Sequence, residues 1–194
     1  MFSTTPIANI AFLIIVQLTL NIGNTSAQWV QVSSGLPPSS SCYAYAVNGS
    51  NIFAGFANSA GVYITTDNGN NWTQTALNNK SINSLAVKSN NVFAGTLSDG
   101  LFISTNNGSS WTLTSLNIPI VKSLSVNGND IFAGSGSSGG TGGVFKSSNN
   151  GNNWTQTSFN NIATYSLATS GDNIFAGTLG SGVYVSTNRG SSWT

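Results

Sequence analysis

Histidine and glutamate are absent from this chain, cysteine occurs once, and only 5% of the residues are charged. Each shortage removes a class of chemistry. Without histidine there is no Ser-His-Asp triad and no His-containing zinc site. With Cys42 alone there is no disulfide framework within the chain. The counterparts of Cys42 in the repeat described below are Ile82, Val121 and Thr164, so it reads as a small filler rather than a reactive thiol. A net charge of +1 gives no electrostatic reason to bind nucleic acid or an anionic membrane surface. Neither a metal nor a cofactor is expected.

What the chain does have is apolar runs broken by turn formers, with 22 glycines and many Asn, Ser and Thr. Such alternation points to an all-β chain of many short strands. The first residues differ in character. Residues 7–22 are mostly apolar, and Asn24, Thr25, Ser26 and Ala27 supply the small residues of a cleavage site. Residues 1–27 therefore read as a secretory signal peptide cut near Ala27. A retained anchor is the other reading, because residues 1–6 carry no Lys or Arg. The apolar run is short against the roughly 20 residues of a membrane span, so no span is expected after removal. The expected location is secreted, at the cell surface or in the periplasm.

The rest of the chain is a repeat of about 40 residues. TTDNGNNWT at residues 65–73 returns as STNNGSSWT (104–112), SSNNGNNWT (147–155) and STNRGSSWT (186–194). An IFAG-like core lies ahead of each, beginning at Ile52, Val92, Ile131 and Ile174. Before each core runs a strand of period two. Its bulky positions are Tyr45 and Val47, Leu85 and Val87, Leu124 and Val126, and Leu167 and Thr169. The residues between them are Ala46, Ala86, Ser125 and Ala168, as expected for sheets stacked closely on both faces.

Four antiparallel strands per unit make a propeller blade. The predicted blades span residues 43–78, 82–117, 121–160 and 162–194, within a domain of 28–194. In the repeated turn, Asp67, Asn106, Asn149 and Asn188 offer a short acceptor to the turn's own N–H groups. Gly69, Gly108, Gly151 and Gly190 accept positive φ. Trp72, Trp111, Trp154 and Trp193 fold back over neighbouring strands, each contributing on the order of 5 kcal/mol at most for about 200 Å² buried. Folding alone explains this turn.

With these residues in place, S/T-x-D-x-G-x-x-W resembles the Asp-box, or BNR, repeat of sialidase, sortilin, xyloglucanase and photosystem-assembly-factor-like propellers. Only Asp67 keeps the family's Asp; the other three copies carry Asn. The resemblance implies a β-propeller in which the box is a structural turn, opposite the face where catalysis occurs in the enzymes. It implies no sialidase activity, since those enzymes clamp a carboxylate with three arginines and this chain has only Arg189.

Residues 28–33, with Trp29 one repeat ahead of Trp72, look like an extra outer strand. Two readings follow. That strand completes the last blade of a compact four-bladed ring, or the chain is the front part of a larger propeller; the second is the expectation. A truncated array of this kind would leave an exposed sheet face and strand edge at its last blade.

For chemistry, Asp67, Asp130 and Asp172 are expected in turns on the lower face, which carries the boxes. Asp99, between second and third strands, is the only acid expected on the upper face, and so the weak catalytic candidate. Glycoside hydrolysis needs a second carboxylate about 5–10 Å away. Length variation in an upper-face connection marks a binding face, and only the third connection, at 135–142, is expanded. Candidate binding residues are Phe56, Asp99, Ser135, Gly139 and Thr141. The expected function is a secreted, non-catalytic binding or scaffold module for a protein or glycan. The alternative is the N-terminal part of an extracellular glycoside hydrolase of xyloglucanase type.

Overall fold

The computed structural model describes residues 30–137, 139 and 142–194. The expected signal peptide, together with Gln28, Trp29 and Thr141, lies outside the described residues. The chain folds as an all-β propeller of four blades, every sheet antiparallel.

The first blade is β1 (Cys42–Asn48), β2 (Asn51–Phe56), β3 (Gly61–Thr65) and β4 (Thr73–Gln74). The second is β5 (Ile82–Lys88), β6 (Asn91–Thr96), β7 (Leu101–Ser104) and β8 (Thr112–Leu113). The third is β9 (Ser123–Asn127), β10 (Asp130–Gly136), β11 (Gly142–Ser147) and β12 (Thr155–Asn160). The fourth contains β13 (Thr164–Ser170), β14 (Asn173–Thr178) and β15 (Val183–Ser186). Only Thr194 begins a fourth strand, exchanging two backbone hydrogen bonds with Val185 at 2.8 and 3.0 Å.

Within each blade strand order follows chain order, and the inner strands β1, β5, β9 and β13 are neighbours in space. The period-two pattern explains the stacking. Ala44 and Ala46 on β1 turn toward the second blade, where Leu85 and Val87 of β5 meet them. Small residues against bulky ones let two sheets interdigitate without voids. The same relation joins the second blade to the third and the third to the fourth. Phe53, Phe93 and Phe132, one per IFAG core, are fully buried at these junctions, each contributing roughly 2–3 kcal/mol.

The glycine closing each core has a packing reason. A Cβ on Gly95 would lie 2.4 Å from Ser84 Oγ and 2.6 Å from Val121 Cγ1 of the next blade. Close approach of the inner strands admits no side chain there.

The end blades differ from the middle ones. On the fourth, the outward face carries Phe175, only half-buried, and Val183, 72% exposed. On the first, Tyr45 and Val47 are exposed. Of residues 28–33, predicted as an extra outer strand, the described part, 30–33, is not in a strand; the segment lies against the first blade, where the Ser34 carbonyl accepts from the Trp72 N–H at 2.9 Å.

Candidate functional site

The two ends of the propeller are chemically different. The lower end carries the hairpins between first and second strands and the repeated turns. In the first turn Thr65 Oγ1 donates to Asp67 Oδ1 at 2.7 Å and accepts from the Gly69 N–H at 2.9 Å. Asp67 Oδ1 accepts from the Asn71 N–H at 2.9 Å. Ser104, Asn106, Gly108 and Ser110 repeat this geometry, as do Ser147, Asn149, Gly151 and Asn153, and Ser186, Asn188, Gly190 and Ser192. The acceptor works equally as carboxylate or amide, which explains why Asn serves in three of the four turns. Hydrogen bonds from the Asn71 backbone and side chain, then from Thr65, hold the Asp67 carboxyl below its usual range.

The residue ahead of each glycine also takes positive φ: Asn68, Asn107, Asn150 and Arg189, at 54–59°. Asn tolerates this region readily; Arg189 does not, and it has another task. Its guanidinium crosses from the fourth blade to Asp130 in the third at 3.0 Å, beside Lys146 at 2.9 Å. Ser148 Oγ donates to the same carboxylate at 2.6 Å. Burial pushes the Asp130 carboxyl up, but Ser148, Lys146 and Arg189 outweigh it, so the group sits below its usual range.

Further cross-blade bonds run over this face. Lys88 Nζ donates to the Asn129 carbonyl and to Asn150 Oδ1, both at 2.6 Å. Asn48 bonds Asn107 at 3.1 Å, and Asn127 donates to the Gly171 carbonyl at 2.6 Å. The lower face is a set of staples.

The upper end is built differently. At the top of β1, β5 and β13 the register slips by one residue, leaving Tyr43, Asn83 and Tyr165 as bulges. Bulges re-aim side chains at sheet ends and rims. The counterpart in the third blade is Lys122, whose N–H bonds the Gly134 carbonyl. These four residues mark the inner upper rim. Asn83 Nδ2 donates to the Val121 carbonyl at 3.3 Å, and Lys122 Nζ lies 5.2 Å from the centroid of the Tyr165 ring. Tyr43 is 63% exposed and Tyr165 39%. Leu97 and Leu179, at matching places in the connections after second strands, are also exposed.

Sequence reading missed this rim. The available signal was one position, following Cys42, Ile82, Val121 and Thr164, where an otherwise regular repeat changes through Tyr, Asn, Lys and Tyr.

The residues predicted for the upper face meet mixed outcomes. Phe56 is a correction: it is 1% exposed, with its ring edge-on to Tyr63 at 5.4 Å, and cannot stack on a ligand. It is the last residue of β2 and joins a buried cluster with Ala54, Tyr63 and Trp72, against which Leu36 packs. Ser135 is also corrected, being buried inside β10 and paired with Gly143 rather than in a loop. The third connection is longer partly because β10 and β11 themselves extend, pairing Gly136 with Gly142. Gly139 is exposed in the turn between them.

Asp99 does lie in the connection between β6 and β7, locked to Lys80 Nζ at 2.6 Å. Lys80 first, then Ser98, holds its carboxyl below the usual range, which disfavours proton donation. Asp130 and Asp172 sit in hairpins at the opposite ends of their blades, and Asp67 in the turn after β3. No second acid accompanies Asp99, and among the described residues no cluster of three or more His, Cys, Asp or Glu occurs. Cys42 is half-buried against the first blade's cluster, where burial pushes its thiol up.

No family model and no curated protein matches this chain. Solved structures do. An ancestral GH74 enzyme superposes with a TM-score of 0.69 at 27% identity, over 88% of this chain and 25% of its own. The GH74 xyloglucanase from Xanthomonas campestris gives 0.65 at 16% identity, over 85% and 31%. YCF48, solved bound to a D1 peptide, gives 0.60 at 15% identity, over 81% and 54%. This chain thus spans about a quarter of the GH74 enzyme it resembles, and what the likeness establishes is a propeller of the kind these proteins share.

Proposed function

We propose that this chain is a secreted, non-catalytic propeller module that engages a protein or glycan through its upper face, and that its repeated turns are Asp-boxes. One observation carries the reading. Side chains at the lower end are engaged in the repeated turns and in staples between blades, whereas bulges at the upper rim turn Tyr43 and Tyr165 toward solvent. Tyrosine presents a broad apolar ring with a polar tip, suited to a sugar face or a peptide. The peptide-bound state of YCF48 supports a propeller of this fold as a recognition surface. The apolar run and small residues at 7–27 support export, and no helix among the described residues is long and apolar enough to cross a membrane.

Glycan and peptide arrays test the proposal. A bound ligand should lose at least tenfold in affinity, about 1.4 kcal/mol, in Tyr43→Ala or Tyr165→Ala. Empty arrays, or undiminished binding by both variants, would overturn it. The second reading, the N-terminal part of a glycoside hydrolase, is supported by the 27% identity to the ancestral GH74 enzyme. It requires β-glucan hydrolysis that Asp99→Asn abolishes.

A further inference from the structure

We propose that this chain carries two sites of spontaneous deamidation, Asn48 and Asn127 in the lower-end hairpins of the first and third blades, while the repeated turns shield three further Asn-Gly pairs from the same chemistry. The proposal stands independently of what the upper face binds.

Asparagine followed by glycine occurs five times, at residues 48–49, 68–69, 107–108, 127–128 and 150–151. Such a pair is the most reactive form of a thermolabile residue, because glycine has no side chain to hinder attack by its own nitrogen. The Gly nitrogen loses its proton and bonds to the Asn Cγ. The Cγ–Nδ2 bond breaks, ammonia leaves, and a succinimide ring is closed. Water then adds to one of the two ring carbonyls and opens the ring to aspartate or isoaspartate. Water is the only co-reactant, and nothing is oxidised or reduced.

In the repeated turns the glycine N–H is buried and committed. Gly69 donates to Thr65 Oγ1 at 2.9 Å, Gly108 to Ser104 Oγ at 2.8 Å and Gly151 to Ser147 Oγ at 2.9 Å. A nitrogen whose proton is held in a buried hydrogen bond reacts only after the turn opens. Opening also disturbs a blade junction. A Cβ on Gly108 would lie 2.8 Å from Thr75 Cγ2 of the blade before, and one on Gly151 2.7 Å from Phe93 Cε1.

The two hairpins are the reverse case. Asn48 pairs with Asn51, and Asn127 with Asp130, so each loop is two residues long. Gly49 and Gly128 take φ of 62° and 56° there. Both glycines are exposed, and neither N–H has a hydrogen-bond partner among the described residues. A Cβ on Gly49 would meet nothing within 4 Å, and one on Gly128 only Arg189 Nη2 at 3.8 Å. These nitrogens are free to ionise and to move.

The two products differ in consequence. Asn48 Nδ2 donates to Asn107 Oδ1 at 3.1 Å, and that partner amide can turn over to donate to an aspartate instead. Asn127 Nδ2 donates to the Gly171 carbonyl at 2.6 Å. A carbonyl has no proton to give, so aspartate at 127 loses the staple between the third and fourth blades.

Peptide mapping by mass spectrometry, following the one-dalton gain in the whole folded chain at mildly alkaline pH, tests the proposal; the same chain in urea is the reference. In urea all five pairs should convert at comparable rates. In the folded chain Asn48 and Asn127 should convert at least about tenfold faster than Asn68, Asn107 and Asn150, a difference of about 1.4 kcal/mol in barrier. Ser147→Ala, which removes the acceptor of the Gly151 N–H, should raise conversion at Asn150 and leave Asn107 as it was. Asn127→Asp should melt at a lower temperature than Asn48→Asp. Hairpin sites that react no faster than the turns, an Asn150 rate unmoved by Ser147→Ala or matched by an equal rise at Asn107, or Asn48→Asp melting as low as Asn127→Asp would each overturn it.

Discussion

Gly151 of the third blade presses on Phe93 of the second, so closely that a Cβ at that glycine would come within 2.7 Å of Phe93 Cε1. Gly190 stands in the same relation to Phe132, at 3.3 Å. The repeated turn is thus more than a local loop. Its glycine closes over the buried IFAG phenylalanine of the blade before it.

Replacing Gly151 by alanine combines a strained φ of +82° with a clash into a buried ring. Left-handed backbone costs a non-glycine residue roughly 1–2 kcal/mol, and overpacking a core roughly 1–3. The expected loss is about 2–4 kcal/mol in urea unfolding. Gly49→Ala is the control, with φ +62° but nothing within 4 Å of its Cβ, and should lose only the backbone share. Equal losses at both positions would refute the inter-blade contact.

Asp130 makes stability depend on pH. Its carboxyl is depressed in the folded state, despite burial, by Ser148, Lys146 and Arg189. A depressed folded pKa stabilises fully above the unfolded value of about 3.9 and fades as pH falls through the folded value. Asp130→Asn should cost roughly 1–3 kcal/mol at pH 7, from lost charge-assisted hydrogen bonds to partners that stay partly exposed to solvent. It should also weaken the decline in stability that the unsubstituted chain shows below about pH 4. Chemical denaturation of both proteins at pH 7 and pH 3 reads the difference. A loss under 1 kcal/mol at neutral pH would mean that the cluster is solvated.

The turn itself makes a third expectation. Thr65→Val removes an acceptor for the Gly69 N–H and a donor to Asp67, and should cost about 1–3 kcal/mol through the stranded amide. Asp67→Asn should stay within about 1 kcal/mol, because Asn106, Asn149 and Asn188 already fill that place. Thermal melts decide; a larger loss for Asp67→Asn than for Thr65→Val would reverse the assignment of which side chain organises the turn.

How much was readable beforehand depends on the range of the interaction. The hairpins, the propeller class and the hydrogen-bonding residues of the turns act within a few positions, and their pattern repeats in phase four times. At the rim around Tyr43 and Tyr165 the sequence shows only a variable position, because a bulge appears only when two strands are aligned and one proves a residue too long. Phe56 misled for a similar reason: an aromatic beside a loop reads as exposed until the cluster it joins with Tyr63 and Trp72, with Leu36 packed against it, is assembled.

Sequence by itself determined that strands of period two would recur at a fixed interval and stack, since alternation of large and small side chains is a property of the chain alone. Tertiary structure decided which faces are covered and which are open. Two equivalent IFAG phenylalanines, Phe132 buried at 0% and Phe175 half-buried, occupy the same place in their blades and differ in the sheet packed over them, and burial is a property of the neighbour.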